Sequence, residues 1–369
     1  MADPSRLKQL SEAGVSVWID SLSREMLHSG ALAALMADDA VVGVTSNPTI
    51  FQKALAEGDR YDEQLRALTA GSDDATEAFF ALAMDDIREA CDLMRPVWEG
   101  TDGIDGFVSL EVDPRLAYDR ERTFEQAVRF NKEVDRPNLY VKIPATEPGL
   151  GAIEDCIAKG VPINVTLIFS LTRYAAVTEA YLRGLERLVA AGGDPRTVLS
   201  VASFFVSRVD TEADRRLEEI GRSDLQGRLA VANAKLAYQH YLDVFYDDRW
   251  DYLAKKGARP QRCLWASTSA KNPAYRDVIY VEELIGPDTV NTMPLETVRA
   301  FQNHGEVKAG SLMEGIDEAN GLLADLAAAG VDYDDVVATL EAEGVQKFAD
   351  SFAELLDGIR AKRAALAAA

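Results

Sequence analysis

The chain contains few cysteines, and their placement excludes a disulfide-stabilised fold. Only Cys91, Cys156 and Cys263 occur among 369 residues, an odd number without the spacing of a metal site. Such scattered thiols are typical of reduced, mostly buried cysteines in a cytoplasmic protein. We therefore expect a cytoplasmic protein whose stability comes from its core.

Histidines are equally few and do not cluster. His28, His240 and His304 lie far apart, with no His-x-x-x-His or His-Cys grouping. Structural and catalytic metal sites usually draw several such ligands from short, regular spacings. A metal-dependent mechanism is therefore not expected.

Positive charge is in short supply as well. There are 39 basic and 61 acidic residues, giving a formal net charge of -22. This balance argues against nucleic acid or an anionic membrane surface as a partner. A phosphorylated ligand would need local cations within about one Debye length, ~8 Å at physiological ionic strength.

Long apolar runs are also missing. No stretch approaches the roughly 18 consecutive apolar residues that a membrane-spanning helix requires. The N-terminus mixes Asp3, Arg6, Lys8 and Glu12 before any apolar run, so we expect no signal peptide.

What the chain does contain is a regular alternation of strand-like and helix-like segments. Eight candidate strands lie at residues 15–20, 41–45, 106–112, 138–143, 161–167, 198–203, 262–267 and 288–292. The clearest helical segments between them are 123–134, 151–159, 171–191, 206–220 and 227–254. Eight alternating units predict an α/β fold, a closed parallel (β/α)8 TIM barrel.

The chain is longer than the ~250 residues typical of such a barrel. No composition shift marks a second domain, so we predict one barrel domain over residues 1–369. The extra length falls in a helical insertion at 50–100, after the second strand, and in C-terminal helices at 314–369. Gly330 and Gly344 are expected to interrupt those last helices.

A lysine inside an apolar strand is the first candidate for chemistry. In the run 139–145, LYVKIPA, Lys142 shares a strand face with Tyr140, while Val141 and Ile143 point the other way. If both faces are covered, burial disfavours the charged ammonium, and the neutral amine can attack a carbonyl.

Other strands carry polar residues near their C-terminal ends. Asp20 ends the first strand, Glu111 lies near the end of the third, and Asn164 and Thr166 share a face of the fifth. In a (β/α)8 barrel, catalytic groups stand at the C-terminal ends of the strands. We therefore expect these side chains to converge on one pocket.

Each of these residues also has a purely structural interpretation. Lys142 could protect a sheet edge or extend its head group to solvent. Asp20 could cap the helix that begins near 21–24, and Glu111 could pair with Arg115. Convergence of the groups beside Lys142 favours the catalytic interpretation.

Several segments resemble one enzyme family in order along the chain. They are WIDSLSR at 18–24, GVTSNPTIF at 43–51, SLEVDPRLAYD at 109–119, LYVKIPAT at 139–146, INVTLIFS at 163–170, SFFVSRVD at 203–210, LWASTSAKNP at 264–273 and NTMP at 291–294. Together they are similar to the transaldolases, and most similar to the longer bacterial branch of that family.

The resemblance implies a class I, Schiff-base aldolase-type barrel without a metal or organic cofactor. Such an enzyme transfers a dihydroxyacetone unit from sedoheptulose 7-phosphate or fructose 6-phosphate to glyceraldehyde 3-phosphate or erythrose 4-phosphate, in the pentose phosphate pathway. Lys142 would be the nucleophile, and Asp20 would take and return the proton of the C4 hydroxyl. Glu111, with Thr166, would position a water that moves protons during Schiff-base formation.

The resemblance also implies a set of substrate-binding residues. Asn47, Asn164 and Ser203 would bind the hydroxyls of the three-carbon fragment, with Thr45 in support. Asn47 followed by Pro48 could equally be a helix start only.

Phosphate would be bound by Arg208, helped by a nearby helix N-terminus. Shorter members carry an arginine after the seventh strand, whereas this chain offers Lys271 as the second cation, with Ser267 as a hydroxyl donor. The structural alternative for Arg208 is a salt bridge to Asp210 or Glu212.

Three other functions remain open on the residues alone. Fructose 6-phosphate aldolases use the same barrel and lysine, but the family comparison places glutamine and tyrosine where this chain has Glu111 and Phe205. A glycoside hydrolase could use Asp20 and Glu111 as acid and nucleophile, which leaves Lys142 without a role. The third alternative is a barrel without catalytic activity that only binds a metabolite or a partner. We expect small sugar phosphates as ligands and a monomer or homodimer.

Overall fold

The computed structural model describes residues 5–69 and 74–368. Eight parallel strands form a closed barrel in chain order. The strands are β1 (Val15–Ile19), β2 (Val41–Val44), β3 (Val108–Glu111), β4 (Leu139–Pro144), β5 (Ile163–Ile168), β6 (Ser200–Phe205), β7 (Arg262–Ala266) and β8 (Thr289–Met293). The predicted (β/α)8 barrel is confirmed, and every predicted strand boundary lies within about two residues of the observed one.

Helices connect and surround these strands. They are α1 (Arg6–Glu12), α2 (Arg24–His28), α3 (Ala31–Asp38), α4 (Pro48–Ala56), α5 (Asp62–Thr69), α6 (Ala75–Gly100), α7 (Arg120–Val134), α8 (Glu147–Ala158), α9 (Leu171–Ala190), α10 (Ser207–Glu219), α11 (Leu229–Phe245), α12 (Asp248–Ala254), α13 (Ile279–Glu282), α14 (Leu295–His304), α15 (Ile316–Ala329) and α16 (Tyr333–Ala368). Short 3-10 turns lie at Pro114–Leu116, Pro195–Thr197, Ser223–Leu225 and Ser311–Met313. The predicted insertion at 50–100 holds most of α4 and all of α5 and α6, and its residues 70–73 lie outside the described residues.

Two predictions about helices were wrong. The segment 227–254 is not one helix, because α11 ends at Phe245 and the Asp247 side chain accepts the Trp250 N–H at 2.7 Å to start α12. Gly330 does end α15, in the left-handed conformation at φ +91°. Gly344, in contrast, lies inside the continuous helix α16.

Packing explains the glycine inside α16. A Cβ atom at Gly344 would lie only 3.1 Å from the Leu167 side chain and 3.4 Å from that of Phe169. The absence of a side chain therefore lets α16 pack closely against the C-terminal end of β5. The low helix propensity of glycine predicted a break at Gly344, but close packing against Leu167 favours glycine within the helix.

The lower half of the barrel interior is filled. Tyr140 stacks on Phe107 with ring centroids 4.0 Å apart, and Trp18 lies 6.2 Å from Tyr140. At the N-terminal end of β7, Arg262 forms a buried ion pair with Asp105 at 2.9 Å. In barrels of this type, ligands bind at the C-terminal end of the strands.

None of the helices in the described ranges is long and apolar enough to cross a membrane. The last helix, α16, has 36 residues. It packs on α4, α6, α10 and the end of β5, and so crosses the open end of the barrel.

Candidate active site

Lys142 lies on β4, buried in the barrel, with 5% of its surface exposed. Its Nζ donates a hydrogen bond to the Ser46 carbonyl at 3.3 Å. The Glu111 Oε2 atom also lies 3.3 Å from Nζ, because the parallel register pairs Glu111 of β3 with Lys142. Lys142 is therefore neither an edge-strand nor a surface lysine.

Glu111 is almost fully buried, and its carboxylate is the ion-pair partner of Lys142. Burial raises the pKa of Glu111 to about 7, although the charge of Lys142 acts in the opposite direction. Arg115, the alternative partner, instead binds Asp113 through Nε at 2.9 Å. The Glu111 carboxyl is thus available to exchange protons near neutral pH.

Asp20 follows β1 directly and accepts a hydrogen bond from the Thr45 hydroxyl at 2.7 Å. Burial raises the pKa of Asp20, and the positive charges of Lys142 and Arg208 oppose this shift. Ser23, and not Asp20, caps helix α2, since its hydroxyl accepts the Met26 N–H. The capping interpretation of Asp20 is therefore wrong.

The polar residues of β5 and β6 form a short hydrogen-bond chain. The Ser203 hydroxyl donates to Asn164 Oδ1 at 2.7 Å, and Asn164 Nδ2 donates to the Ser109 hydroxyl at 3.1 Å. Thr166 Oγ1 is buried and lacks a hydrogen-bond partner among the described residues, as does Glu111 Oε2 by hydrogen-bond geometry. Thr166 Oγ1 thus retains capacity for a hydrogen bond, and Glu111 Oε2 has its ion pair with Lys142 and capacity for a further contact.

A cavity of about 190 Å³ opens at the C-terminal end of the strands. Its lining comprises Asp20, Thr45, Asn47, Lys142, Ser203, Phe205, Arg208, Ala266, Ser267, Ser269, Lys271, Thr292, Pro294, Lys347 and Phe348. Nine of the twelve predicted site residues are in that set. Glu111, Asn164 and Thr166 lie outside it, although Glu111 contacts Lys142 and Asn164 accepts a hydrogen bond from Ser203.

Asn47 caps a helix and also lies at the cavity. Its side chain caps α4 by accepting the Ile50 N–H at 3.0 Å, with Pro48 in the first turn. It also lines the cavity. The hydrogen bond to Ile50 restricts the conformations that the Asn47 side chain can adopt at the cavity.

Arg208 lies in the first turn of α10 and forms no ion pair with any described residue. Its guanidinium carbon lies 5.1 Å from the Phe205 ring centroid. The expected alternatives are wrong, since Glu212 pairs with arginines of its own helix and Asp210 accepts the Tyr280 hydroxyl at 2.7 Å.

The loop after β7 carries the other candidate cation. Lys271 Nζ donates to the Ser269 hydroxyl at 2.6 Å. Ser267 adopts a left-handed backbone at φ +56°, and its hydroxyl lies 2.9 Å from that of Ser207 at the start of α10. Burial lowers the pKa of Lys271, while the charge of Glu296 partly offsets this effect.

Five lining residues with functional groups or rings at the cavity were not predicted from the sequence: Ser269, Thr292, Pro294, Lys347 and Phe348. Thr292 belongs to the quoted NTMP segment, and its hydroxyl lies 2.6 Å from that of Thr45. Lys347 and Phe348 come from α16, more than half of the chain away from Lys142. No local pattern connects them to the site.

Metal ligation has no geometric basis in the described ranges. No group of three or more His, Cys, Asp or Glu side chains is arranged there to hold a metal ion.

Comparison with known proteins adds a family to this geometry. Residues 17–359 match the family model for transaldolase/fructose-6-phosphate aldolase. A transaldolase from Frankia alni is 54% identical over 362 residues, which cover 97% of each chain. A transaldolase from Thermobifida fusca is 54% identical over 98% of this chain and 99% of its own, and one from Mycobacterium bovis is 51% identical over 98% of both.

Proposed function

This chain belongs to the transaldolase/fructose-6-phosphate aldolase family, and we propose that it acts as a transaldolase through a Schiff base on Lys142. The observation that carries the proposal is the position of Nζ, buried at the base of a polar cavity and 3.3 Å from Glu111. The enzyme transfers a dihydroxyacetone unit from a ketose phosphate to an aldose phosphate.

Lys142 attacks the C2 carbonyl of the ketose phosphate as a neutral amine. The carbinolamine loses water and becomes an iminium, which accepts the electron pair of the breaking C3–C4 bond. The position of Nζ supports this role because the side chain is 5% exposed and lines the cavity, where the carbonyl of a bound ketose would meet the amine.

Asp20 takes the proton of the C4 hydroxyl as the C3–C4 bond breaks, and the aldose phosphate leaves. The enamine that remains attacks the aldehyde of the acceptor, and Asp20 returns the proton to the new hydroxyl. Burial raises the pKa of Asp20, and this supports the role because a carboxylate with a higher pKa is a stronger base toward the proton of the C4 hydroxyl.

Glu111 and Thr166 move protons while the carbinolamine forms and dehydrates. Thr166 Oγ1, buried without a hydrogen-bond partner among the described residues, supports this role because a water bound there would complete its hydrogen bonding. The pKa of about 7 allows Glu111 to take a proton from the attacking amine and to give it to the departing water.

Neutral groups bind the hydroxyls of the three-carbon fragment, and cations bind the phosphate. Asn47, Ser203 and Thr45 line the cavity, and Asn164 orients Ser203 through its 2.7 Å hydrogen bond. Arg208 also lines the cavity and, in the first turn of α10, offers a charged donor beside helix N–H groups.

Phe205, Ser267 and Lys271 complete the proposed substrate-binding set. Phe205 presents an apolar ring next to Arg208, and Lys271 adds a second positive charge. Ser267 supplies a hydroxyl at the phosphate end of the cavity.

We further propose a cytoplasmic location, supported by Cys91, Cys156 and Cys263, all of which are buried and free. The acidic balance of the chain supports sugar phosphates, rather than nucleic acid or membrane lipid, as its partners. A monomer or homodimer stays a prediction. One domain with a helical insertion and C-terminal helices is likewise proposed.

The mechanism is tested by trapping the Schiff base. The protein is incubated with fructose 6-phosphate and reduced with borohydride, and the modified peptide is mapped by mass spectrometry. We expect one adduct, on Lys142, and none on Lys235, the other buried lysine of the described residues. Lys142→Met should abolish the adduct, whereas an adduct elsewhere would contradict the mechanism.

A second measurement separates transfer from release. With fructose 6-phosphate and erythrose 4-phosphate together, we expect sedoheptulose 7-phosphate and little free dihydroxyacetone. Free dihydroxyacetone as the main product would instead identify a fructose 6-phosphate aldolase.

A further inference from the structure

We propose that Lys347 of the C-terminal helix α16 is a third cation of the phosphate-binding site, so that docking of α16 completes substrate recognition. The inference rests on the proposed function and extends it to a residue more than two hundred positions from the catalytic lysine. Lys347 lines the same cavity as Arg208 and Lys271.

The three cations are close enough to influence one another. Lys271 interacts electrostatically with the positive charges of both Arg208 and Lys347. None of the three forms an ion pair with a described residue, in contrast to arginines such as Arg173 and Arg216. Unpaired like charges that converge on a cavity repel one another until an anion binds between them.

Acidic groups do face this cluster, but none of them neutralises it by direct contact. Glu296 acts on Lys271, and Asp20 and Glu343 act on Arg208, in each case through space and not through an ion pair. A phosphate dianion therefore remains the natural partner for the cluster. Among the residues that line the cavity, Arg208, Lys271 and Lys347 are accompanied by one carboxylate, that of Asp20, and in a chain of net charge -22 this lining counteracts the long-range repulsion of anionic substrates.

Helix α16 is held in the orientation that directs Lys347 inward. Gly344, Lys347, Phe348 and Ser351 share one helix face, since they are separated by three or four residues. Gly344 packs on Leu167, and Ser351 Oγ accepts the Thr49 hydroxyl at 2.9 Å. Contacts on both sides of Lys347 therefore fix this face against the barrel.

Phe348 provides an independent marker of the same docking. Its ring centroid lies 5.7 Å from Lys142 Nζ, so the residue next to Lys347 already reaches the catalytic amine. The Arg173–Glu341 ion pair, at 3.2 Å, anchors the helix two turns before Lys347. The C-terminal helix is thus a wall of the cavity on its cationic side.

The test compares Lys347→Gln with Arg360→Gln. Both variants remove one positive charge from an exposed position of α16. Arg360 pairs with Asp357 on the surface, and thirteen residues at about 1.5 Å each place it roughly 20 Å along the helix from Lys347. That separation exceeds the ~8 Å Debye length. Thermal unfolding should show that both variants fold like the wild type.

Binding of inorganic phosphate is measured by calorimetry, and KM and kcat are measured for erythrose 4-phosphate and for unphosphorylated erythrose. For Lys347→Gln we expect phosphate affinity to fall and the KM of erythrose 4-phosphate to rise, each roughly 10-fold, as for loss of one charged hydrogen bond. kcat and the kcat/KM of erythrose should change less than about twofold. Lys347→Arg should restore most of the phosphate affinity.

Two outcomes would overturn the inference. One is equal phosphate affinity and KM in Lys347→Gln and Arg360→Gln. The other is a loss of kcat with both substrates without weaker phosphate binding, which would assign Lys347 a role in the chemistry or in folding. Failure of the Lys142 adduct in the wild type would contradict the proposed function alone, because calorimetry with phosphate needs no turnover.

Discussion

Replacement of Glu111 by glutamine tests the central feature of the site. Glutamine keeps the shape of the side chain but removes the carboxylate that lies 3.3 Å from Lys142 Nζ. The variant therefore isolates proton transfer from packing. We expect the Schiff base to form still, but slowly, since the nucleophile is intact.

The magnitude follows from the environment of the carboxyl. Burial moves the pKa of Glu111 from 4.5 to about 7. At 1.36 kcal/mol per unit, this corresponds to roughly 3 kcal/mol between its two protonation states. Below about pH 7, Glu111 is protonated and cannot accept a proton from the attacking amine. Wild-type kcat/KM should therefore fall as the pH drops through about 7.

In Glu111→Gln, this limb of the pH profile should disappear, and kcat should fall by about 10²- to 10⁴-fold, the usual contribution of one acid-base group. The assay is steady-state transfer from fructose 6-phosphate to erythrose 4-phosphate between pH 5.5 and 9, with borohydride trapping in parallel. Asp113→Asn is the matched control, because it removes a buried carboxylate that pairs with Arg115 instead. A Glu111→Gln enzyme with wild-type rate and an unchanged limb would refute the reasoning.

Three further variants probe other parts of the molecule. Asp20→Asn should lower kcat by about 10²-fold or more while the trapped adduct accumulates, because the C4 proton has no acceptor; a fully active variant would contradict this role. Burial raises the pKa of Asp210 to about 6, so its stabilising effect is present below pH 3.8 and is lost as the pH rises through about 6. Between pH 5 and pH 8, Asp210→Asn should therefore gain roughly 1.5 kcal/mol of unfolding free energy relative to the wild type, and an equal difference at both pH values would contradict this linkage. In α16, Gly358→Ala should stabilise the protein by about 1 kcal/mol, because nothing lies within 4 Å of the position of the added Cβ. Gly344→Val should instead destabilise it by about 1–3 kcal/mol, because the added side chain meets Leu167. Equal effects of the two variants in urea unfolding would contradict close packing at Gly344.

The sequence alone was sufficient for the barrel and for the positions of Asp20, Glu111 and Lys142 near one another. Strand segments with apolar residues on one face and Asp20, Glu111 or Lys142 on the other predicted both the eight strands and the polar cluster. This succeeded because the two-residue period of a strand is a local property. In a closed barrel, all inward faces then meet on one axis.

Local sequence patterns did not correctly predict the C-terminal helix α16. Gly344 was expected to interrupt it, but the close approach of Leu167 selects glycine there without ending the helix. Lys347 and Phe348 carried no signal of their own, since an exposed lysine and a buried phenylalanine are ordinary in an amphipathic helix. The break between α11 and α12 was also missed, because Asp247 reads equally well as a helix residue and as a cap.

What the sequence determined by itself was therefore the set of strands, their inward side chains and the chemistry those side chains make available. Only the tertiary structure decided which residues enclose the cavity: the left-handed turn at Ser267 that places the loop after β7, and the docking of α16 that brings Lys347 to Arg208. The physical reason is the distance along the chain over which each kind of interaction acts. Alternation and capping act over a few residues, whereas the approach of α16 depends on packing between segments far apart in the chain, whose free energy no local pattern encodes.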